Sequence, residues 1–245
     1  MCVFLSLRAD KAKLQKRFDA TFVEEESFGP KYVQNAFEFP KWPVIISEKP
    51  GEIRLMNWGL IPAWVQDQES ALKFRVNTVN ARVETIHEKS AFRNAAARQH
   101  CLVLTDGFFE YRELEGKKFP YYIRVKGGLP FALAGLYEYW THPETGETTT
   151  GFSIITTEAN PLMQMVHNRG KRMPAILHEA QEGEWLYSYE GDTGLLKPFP
   201  QEAMEAWTVS RKISERSVEI QVAGILDSVD YPELNNQKPS QGLLF

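Results

Sequence analysis

Cysteine is scarce in this chain. Cys2 and Cys101 are the only two among 245 residues, which excludes a disulfide framework and any metal-spaced cysteine cluster. A reducing, cytoplasmic setting is therefore the default expectation. Long apolar runs are missing as well. Nothing approaches the roughly 18 residues that a spanning helix needs, and the N-terminus lacks a basic stretch followed by an apolar core, so neither a membrane span nor a signal peptide is expected. There is no Walker loop, Gly-rich dinucleotide fingerprint, zinc spacing or internal repeat, so no cofactor or metal is expected. An excess of positive charge is absent too. The net charge is −4, and any contact with nucleic acid must come from a local basic patch.

What remains is an ordinary globule. Hydrophobic residues make up 43% and charged residues 24%, proportions that suit a packed, soluble domain. A length of 245 residues fits one large domain or two small ones.

The first dipeptide carries the sharpest chemistry. Methionine before a small residue is commonly removed by aminopeptidases, which would leave Cys2 as the N-terminus. Its α-amine and thiol, both partly nucleophilic near neutral pH, then flank one carbon. Together they can close a five-membered ring on a single carbonyl carbon. The plainer alternative makes Cys2 a small apolar residue at the start of a strand.

Residues 3–7 read as that strand, and 9–22 as an amphipathic helix with Leu14, Phe18 and Phe22 at helical spacing. Residues 43–47 form a brief β run. Residues 54–64 read as a strand ending in a packed turn, with Trp58 inside and Trp64 partly exposed. An exposed indole beside a groove is a stacking platform for a nucleobase. In the polar segment 73–85, Asn80, Arg82 and Glu84 alternate with Ala81 and Val83 and would share one strand face. A helix is expected over 88–99, and an apolar strand over 101–105 buries Cys101. Glu110 follows among Phe108, Phe109 and Tyr111, where a carboxylate either has a partner or becomes a general acid. Three strands follow, over 119–125, 131–139 and 151–157, with His142 in a polar loop. Asn160 can cap a helix opened by Pro161. His167 falls near that helix's end, beside the cations Arg169, Lys171 and Arg172. A helix over 180–190 and a last strand over 204–210 complete the reading, and the chain from residue 226 reads as a polar tail.

Several of these segments fall in the order of a known family: Met1-Cys2, Trp58-Gly59-Leu60-Ile61-Pro62-Ala63-Trp64, Asn80-Ala81-Arg82-Val83-Glu84-Thr85, Gly107-Phe108-Phe109-Glu110-Tyr111, Thr156-Thr157-Glu158-Ala159-Asn160, His167 with Arg172-Met173-Pro174, and Val209-Ser210-Arg211. The chain resembles the SRAP family, the SOS response-associated peptidase or abasic-site-processing proteins, over residues 1 to about 225. The resemblance implies one α+β domain built on a curved, barrel-like antiparallel sheet with flanking helices, followed by a tail over 226–245. It also implies a basic groove for single-stranded DNA that contains abasic sites. Cys2 would be the nucleophile, with Asn80, Glu110 and His167 around it. Trp64, Arg75, Arg82 and either Arg169 or Arg172 would contact DNA.

On this reading the Cys2 amine forms an imine with the open-chain aldehyde, and the thiol closes a thiazolidine. His167 and Glu110 are residue types able to move the required protons, and Glu110 is the candidate for assisting reversal. Two departures stand out. The family's Gly-Arg after Met-Cys is Val3-Phe4 here, and four residues separate His167 from Arg172. The rival readings are a cysteine peptidase or N-terminal-nucleophile amidohydrolase, including cleavage of the Met1–Cys2 bond, and a non-catalytic DNA binder. The C-terminal Gln241-Gly242-Leu243-Leu244-Phe245 resembles the Gln-x-x-Leu-Phe peptide that docks on bacterial sliding clamps, with Gln241, Leu244 and Phe245 as anchors.

Overall fold

The computed structural model describes residues 2–23, 28–188, 192–214 and 221–235. In chain order the elements are β1 (Phe4–Leu7), α1 (Lys11–Phe18), β2 (Thr21–Phe22), β3 (Lys31–Asn35), β4 (Lys41–Ile46), β5 (Lys49–Trp58), α2 (Gln68–Asn77), β6 (Asn80–Arg82), α3 (Arg93–Arg98) and β7 (His100–Thr105). They continue with β8 (Gly107–Leu114), β9 (Lys117–Val125), β10 (Phe131–Thr141), β11 (Thr148–Glu158), α4 (Pro161–Val166), β12 (Arg172–Pro174), α5 (Glu179–Tyr187), β13 (Met204–Thr208) and α6 (Pro232–Asn235). Among the described residues no helix is long and apolar enough to cross a membrane.

The larger sheet closes on itself. β5 pairs β4, β4 pairs β7, β7 pairs β10, β10 pairs β11, and β11 returns to β5. Four of these pairings are antiparallel, and the closing one, Gly151 opposite Asn57 and Phe152 opposite Trp58, is parallel. Closure removes the edges that an open sheet would leave. Two glycines permit it. Gly59 has φ +110, and a Cβ on Gly151 would lie 2.6 Å from the Gly59 carbonyl oxygen. The chains therefore approach closely enough for Gly59 N–H to donate to the Phe152 carbonyl at 2.9 Å. Inside, Trp58 stacks on Phe152 with centroids 6.0 Å apart, and Trp42 tilts against Trp58 at 6.4 Å. Each buried indole keeps its N–H satisfied, Trp42 on the Leu104 carbonyl and Trp58 on the Val79 carbonyl, as burial requires.

A second sheet, in the order β13-β9-β8-β1-β3, flanks the barrel. Asp106, between β7 and β8, ties the two together. Its carboxylate accepts from Ser6 Oγ at 2.6 Å, Arg8 N at 2.7 Å and Arg8 Nε at 3.1 Å. Tyr122 OH donates to its backbone carbonyl at 3.1 Å. These bonds anchor β1, and with it the residue that precedes it.

The mixed α+β, barrel-based architecture is the one expected, but several local readings are corrected. The first helix stops at Phe18 because Asp19 turns left-handed at φ 48, and Phe22 belongs to β2. Residues 68–77 form a helix that takes in the start of the polar segment 73–85. β6 ends at Arg82 and residues 83–85 form a 3-10 turn, which takes Glu84 off the shared face. The helix expected over 88–99 is confined to Arg93–Arg98. Among the described residues past 225, Val229 and Tyr231 are tied to the domain. Val229 N donates to the Thr208 carbonyl at 3.0 Å and Tyr231 OH to the Val209 carbonyl at 2.8 Å. The clamp-like residues Gln241, Leu244 and Phe245 lie outside the described residues, as does Met1.

Replacing Gly151 by alanine forces the barrel seam apart. The Gly151→Ala protein should be about 1–3 kcal/mol less stable, read as a lower denaturant midpoint at unchanged slope.

Candidate active site

Cys2 sits just ahead of β1, which β3 and β8 hold on its two sides, with Phe4 opposite both Asn35 and Phe109. The alternation along β8 turns Phe109 into one layer and Glu110 toward the Cys2 side. Glu110 is only 4% exposed. Asn80 opens β6, which lies parallel to β11 with Asn80 opposite Ile154. Its Nδ2 crosses 78 residues of sequence to donate to the Cys2 carbonyl at 2.8 Å. The Asn80 Oδ1 is buried and accepts no hydrogen bond from the described residues.

His167 arrives from a fourth direction. Asn160 caps α4 by accepting from Met163 N at 2.8 Å, with Pro161 in the first turn, as its sequence signature predicts. His167 is the residue at the helix's C-terminal end. Its Nδ1 lies 2.9 Å from the Arg172 carbonyl and 3.9 Å from Glu110 Oε1. A carbonyl only accepts, so Nδ1 is the donor in that hydrogen bond.

The Cys2 thiol is 1% exposed, with Sγ 3.9 Å from the Phe4 carbonyl. Burial pushes the thiol well above its ordinary range, and the Glu110 carboxylate pushes it further the same way. The sulfur is therefore held as S–H at neutral pH. The other thiol, Cys101, is raised by burial alone, as expected of an inert core residue.

A cleft of about 730 Å³ opens beside this cluster, with Glu110 and His167 in its lining and Cys2 and Asn80 behind it. One wall is aromatic, with Phe4 edge-on to Tyr111 at 6.3 Å and Phe37 46% exposed. The lining also carries Arg169, Lys118 and Arg211, together with Glu113. The two arginines near His167 separate cleanly. Arg169 is 77% exposed over the cleft and 3.3 Å from Glu113. Arg172 is turned inward, paired with Glu84 at 2.5 and 3.0 Å and donating to the Thr156 carbonyl at 2.6 Å.

Other expected DNA contacts lie off the cleft lining. Trp64 is 43% exposed but donates to the Ser90 carbonyl at 3.1 Å and packs edge-on against Phe74. Arg82 is exposed on β6. Arg75 lies over the Phe39 ring, donates to Asn57 Oδ1 at 3.0 Å and lines a separate pocket of about 100 Å³ at the barrel seam. Burial holds its guanidinium below the ordinary range. Sequence reasoning missed Lys118 and Arg211. Arg211 stands in a matched motif without an assigned role, and its place over the Phe119 and Tyr231 rings depends on a chain end read as tail. Among the described residues no group of three or more His, Cys, Asp or Glu is placed to hold a metal.

A barrel that seats a nearly N-terminal cysteine against an asparagine, a glutamate and a histidine beside a cation-lined cleft defines a distinct class of site. The family model for the SOS response associated peptidase (SRAP) matches residues 1–216, and the chain belongs to that family. It is 34% identical over 221 residues to the abasic site processing protein YoqW of Bacillus subtilis, covering 87% of this chain and 94% of that one. It is 33% identical over 140 residues to the abasic site processing protein HMCES of Xenopus tropicalis, covering 50% of this chain and 41% of that one. A crystal structure of a protein from Bacteroides thetaiotaomicron superposes with a TM-score of 0.87 at 36% identity, covering 93% of this chain and 100% of the other.

The thiol's environment sets a measurable direction. Removing the neighbouring negative charge lowers the thiol's pKa, so Glu110→Gln should speed alkylation of Cys2 by iodoacetamide near pH 8 by roughly three- to tenfold. Peptide mass mapping reads the rate, with Cys101 unmodified as the internal control.

Proposed function

We propose that the chain, once Met1 is removed, captures abasic sites in single-stranded DNA as a thiazolidine on Cys2. The observation that carries this reading is the Asn80–Cys2 hydrogen bond, with Asn80 Oδ1 left over as a buried acceptor. A free α-amine at Cys2 is a donor suited to that oxygen. The names of the relatives, which describe them as abasic site processing proteins, support the same substrate.

The chemistry runs from these groups. The deoxyribose hemiacetal opens with proton transfers at the ring oxygen and the C1 hydroxyl, for which His167 and Glu110, 3.9 Å apart, are suitable residue types. The Cys2 amine attacks the aldehyde carbon, and loss of one water gives an imine. The S–H then adds across the C=N bond. Sulfur bonds to carbon while its proton passes to Glu110 and on to nitrogen. A protonated, buried thiol suits this order, because the amine acts first and the sulfur needs no solvent-exposed anion. Since both nucleophiles belong to one residue, ring closure is intramolecular and strongly favoured. Single strands present the sugar without the cost of unstacking. Arg169, Lys118 and Arg211, which line the cleft, are the cations available to meet phosphates.

Incubating the processed protein with an abasic single-stranded oligonucleotide tests this directly. A heat-stable adduct should form without borohydride, at the summed mass less one water. Cys2→Ala should give an adduct only when borohydride traps it, and protein retaining Met1 should give none. Amide turnover with no adduct would replace this reading with the hydrolase.

The two arginines should part company. Arg169→Ala should weaken DNA binding and reduce the salt slope by about 0.7, the value for one phosphate on a single strand, at unchanged stability. Arg172→Ala should instead cost about 1–3 kcal/mol of stability by stranding its partners, seen in thermal melts.

A further inference from the structure

The four residues between His167 and Arg172 are the least expected part of the site, and they make more contacts with the machinery than a surface loop requires. His167 O accepts from Lys171 N at 2.8 Å, which adds one closed turn beyond α4. Lys171 takes φ 47 to do so, and its carbonyl accepts from Ala159 N at 3.1 Å. The turn is then docked sideways. Asn168 Oδ1 accepts from Glu113 N at 2.9 Å, and Asn168 Nδ2 donates to Glu113 O at 2.7 Å. β1 pairs with β8 only from Gly107 to Phe109, so the amide of Asn168 satisfies the β8 backbone just past the end of that pairing. Glu113 lies three residues along the same strand from Glu110. One strand segment therefore fixes both the carboxylate and the turn that carries the imidazole.

Gly170 completes the arrangement. A Cβ built there would lie 2.4 Å from both Cε1 and Nε2 of His167. Its φ is not in the left-handed region, so the backbone itself would accept alanine. The absence of a side chain is what leaves room for the Nε2 edge of the ring. Nδ1 is already committed to the Arg172 carbonyl.

We propose that Asn168 and Gly170 are positioning residues for His167: Asn168 docks on β8 the turn that brings the Arg172 carbonyl to Nδ1 and so sets the Nδ1–H tautomer, and Gly170 leaves room for the ring edge through which Nε2 exchanges protons with the substrate. The second half of this statement rests on the abasic-site reading above; the first half does not.

The test separates the two. The processed protein and its Asn168→Ala and Gly170→Ala variants are labelled with 15N-histidine, and the His167 ring nitrogens are read by NMR without DNA. The same preparations are assayed for adduct formation on an abasic oligonucleotide and for affinity toward a non-reactive tetrahydrofuran-containing strand. In the parent protein His167 is expected as the Nδ1–H tautomer. Each variant should show mixed tautomers and form adduct at least about tenfold more slowly, within the range spanned by loss of one general acid–base group. Both variants should melt at a lower temperature, Asn168→Ala by stranding the Glu113 backbone groups and Gly170→Ala by crowding the His167 ring, yet stay folded at the assay temperature with tetrahydrofuran-strand affinity at the parent value. Unchanged tautomer in both variants overturns the proposal, and so does an altered tautomer with an unaltered rate. An altered tautomer in the variants together with no adduct from the parent protein upholds the positioning role and defeats the abasic-site reading alone.

Discussion

Strand β11 is the member on which this structure turns. It pairs with β10 along one edge, and along its length it also meets β5, β6 and β12. The parallel contact with β5 closes the barrel. The parallel contact with β6 sets Asn80 at the height of Ile154, and the antiparallel contact with β12 sets Arg172 opposite Glu158. Its C-terminal end runs directly into the cap of α4, which delivers His167. Two of the groups around Cys2, Asn80 and His167, thus take their positions from one strand, and that strand is part of a closed ring.

Cys2 and Glu110 come from the other sheet. β1 is locked by the Asp106 network at one end and by β3 and β8 along its sides. The candidate site therefore lies where two independently braced layers meet, and the Asn80–Cys2 hydrogen bond is the stitch between them. Placement at such a junction lets each layer fix its own contribution by packing, so the geometry does not depend on loops alone.

Much of this was legible in the residues. The strand at 101–105, the Asn160-Pro161 helix start, the burial of Trp58 and the four clustered groups all follow from local pattern or from matched motifs. What escaped was set by tertiary pairing. Phe22 fits a helical stripe, yet Asp19 ends the helix and β5 recruits Phe22 as a strand. Glu84 alternates correctly with Arg82, yet the chain turns after Arg82 and Glu84 becomes the counter-ion of Arg172. Nothing local distinguishes Arg169 from Arg172; only the turn between them sends one to the cleft and the other to the interior. Tyr231 looks like part of a tail because its partners, Phe119 and the Val209 carbonyl, are distant in sequence.

The burial of Cys2 carries a consequence beyond the order of bond formation. Oxidation of cysteine by peroxide proceeds through the exposed thiolate, and this sulfur is neither exposed nor ionised. Reactive oxygen species are among the agents that strip bases from DNA. Under the proposed function, a nucleophile shielded from the same oxidants would keep its working group intact under the conditions that generate abasic sites.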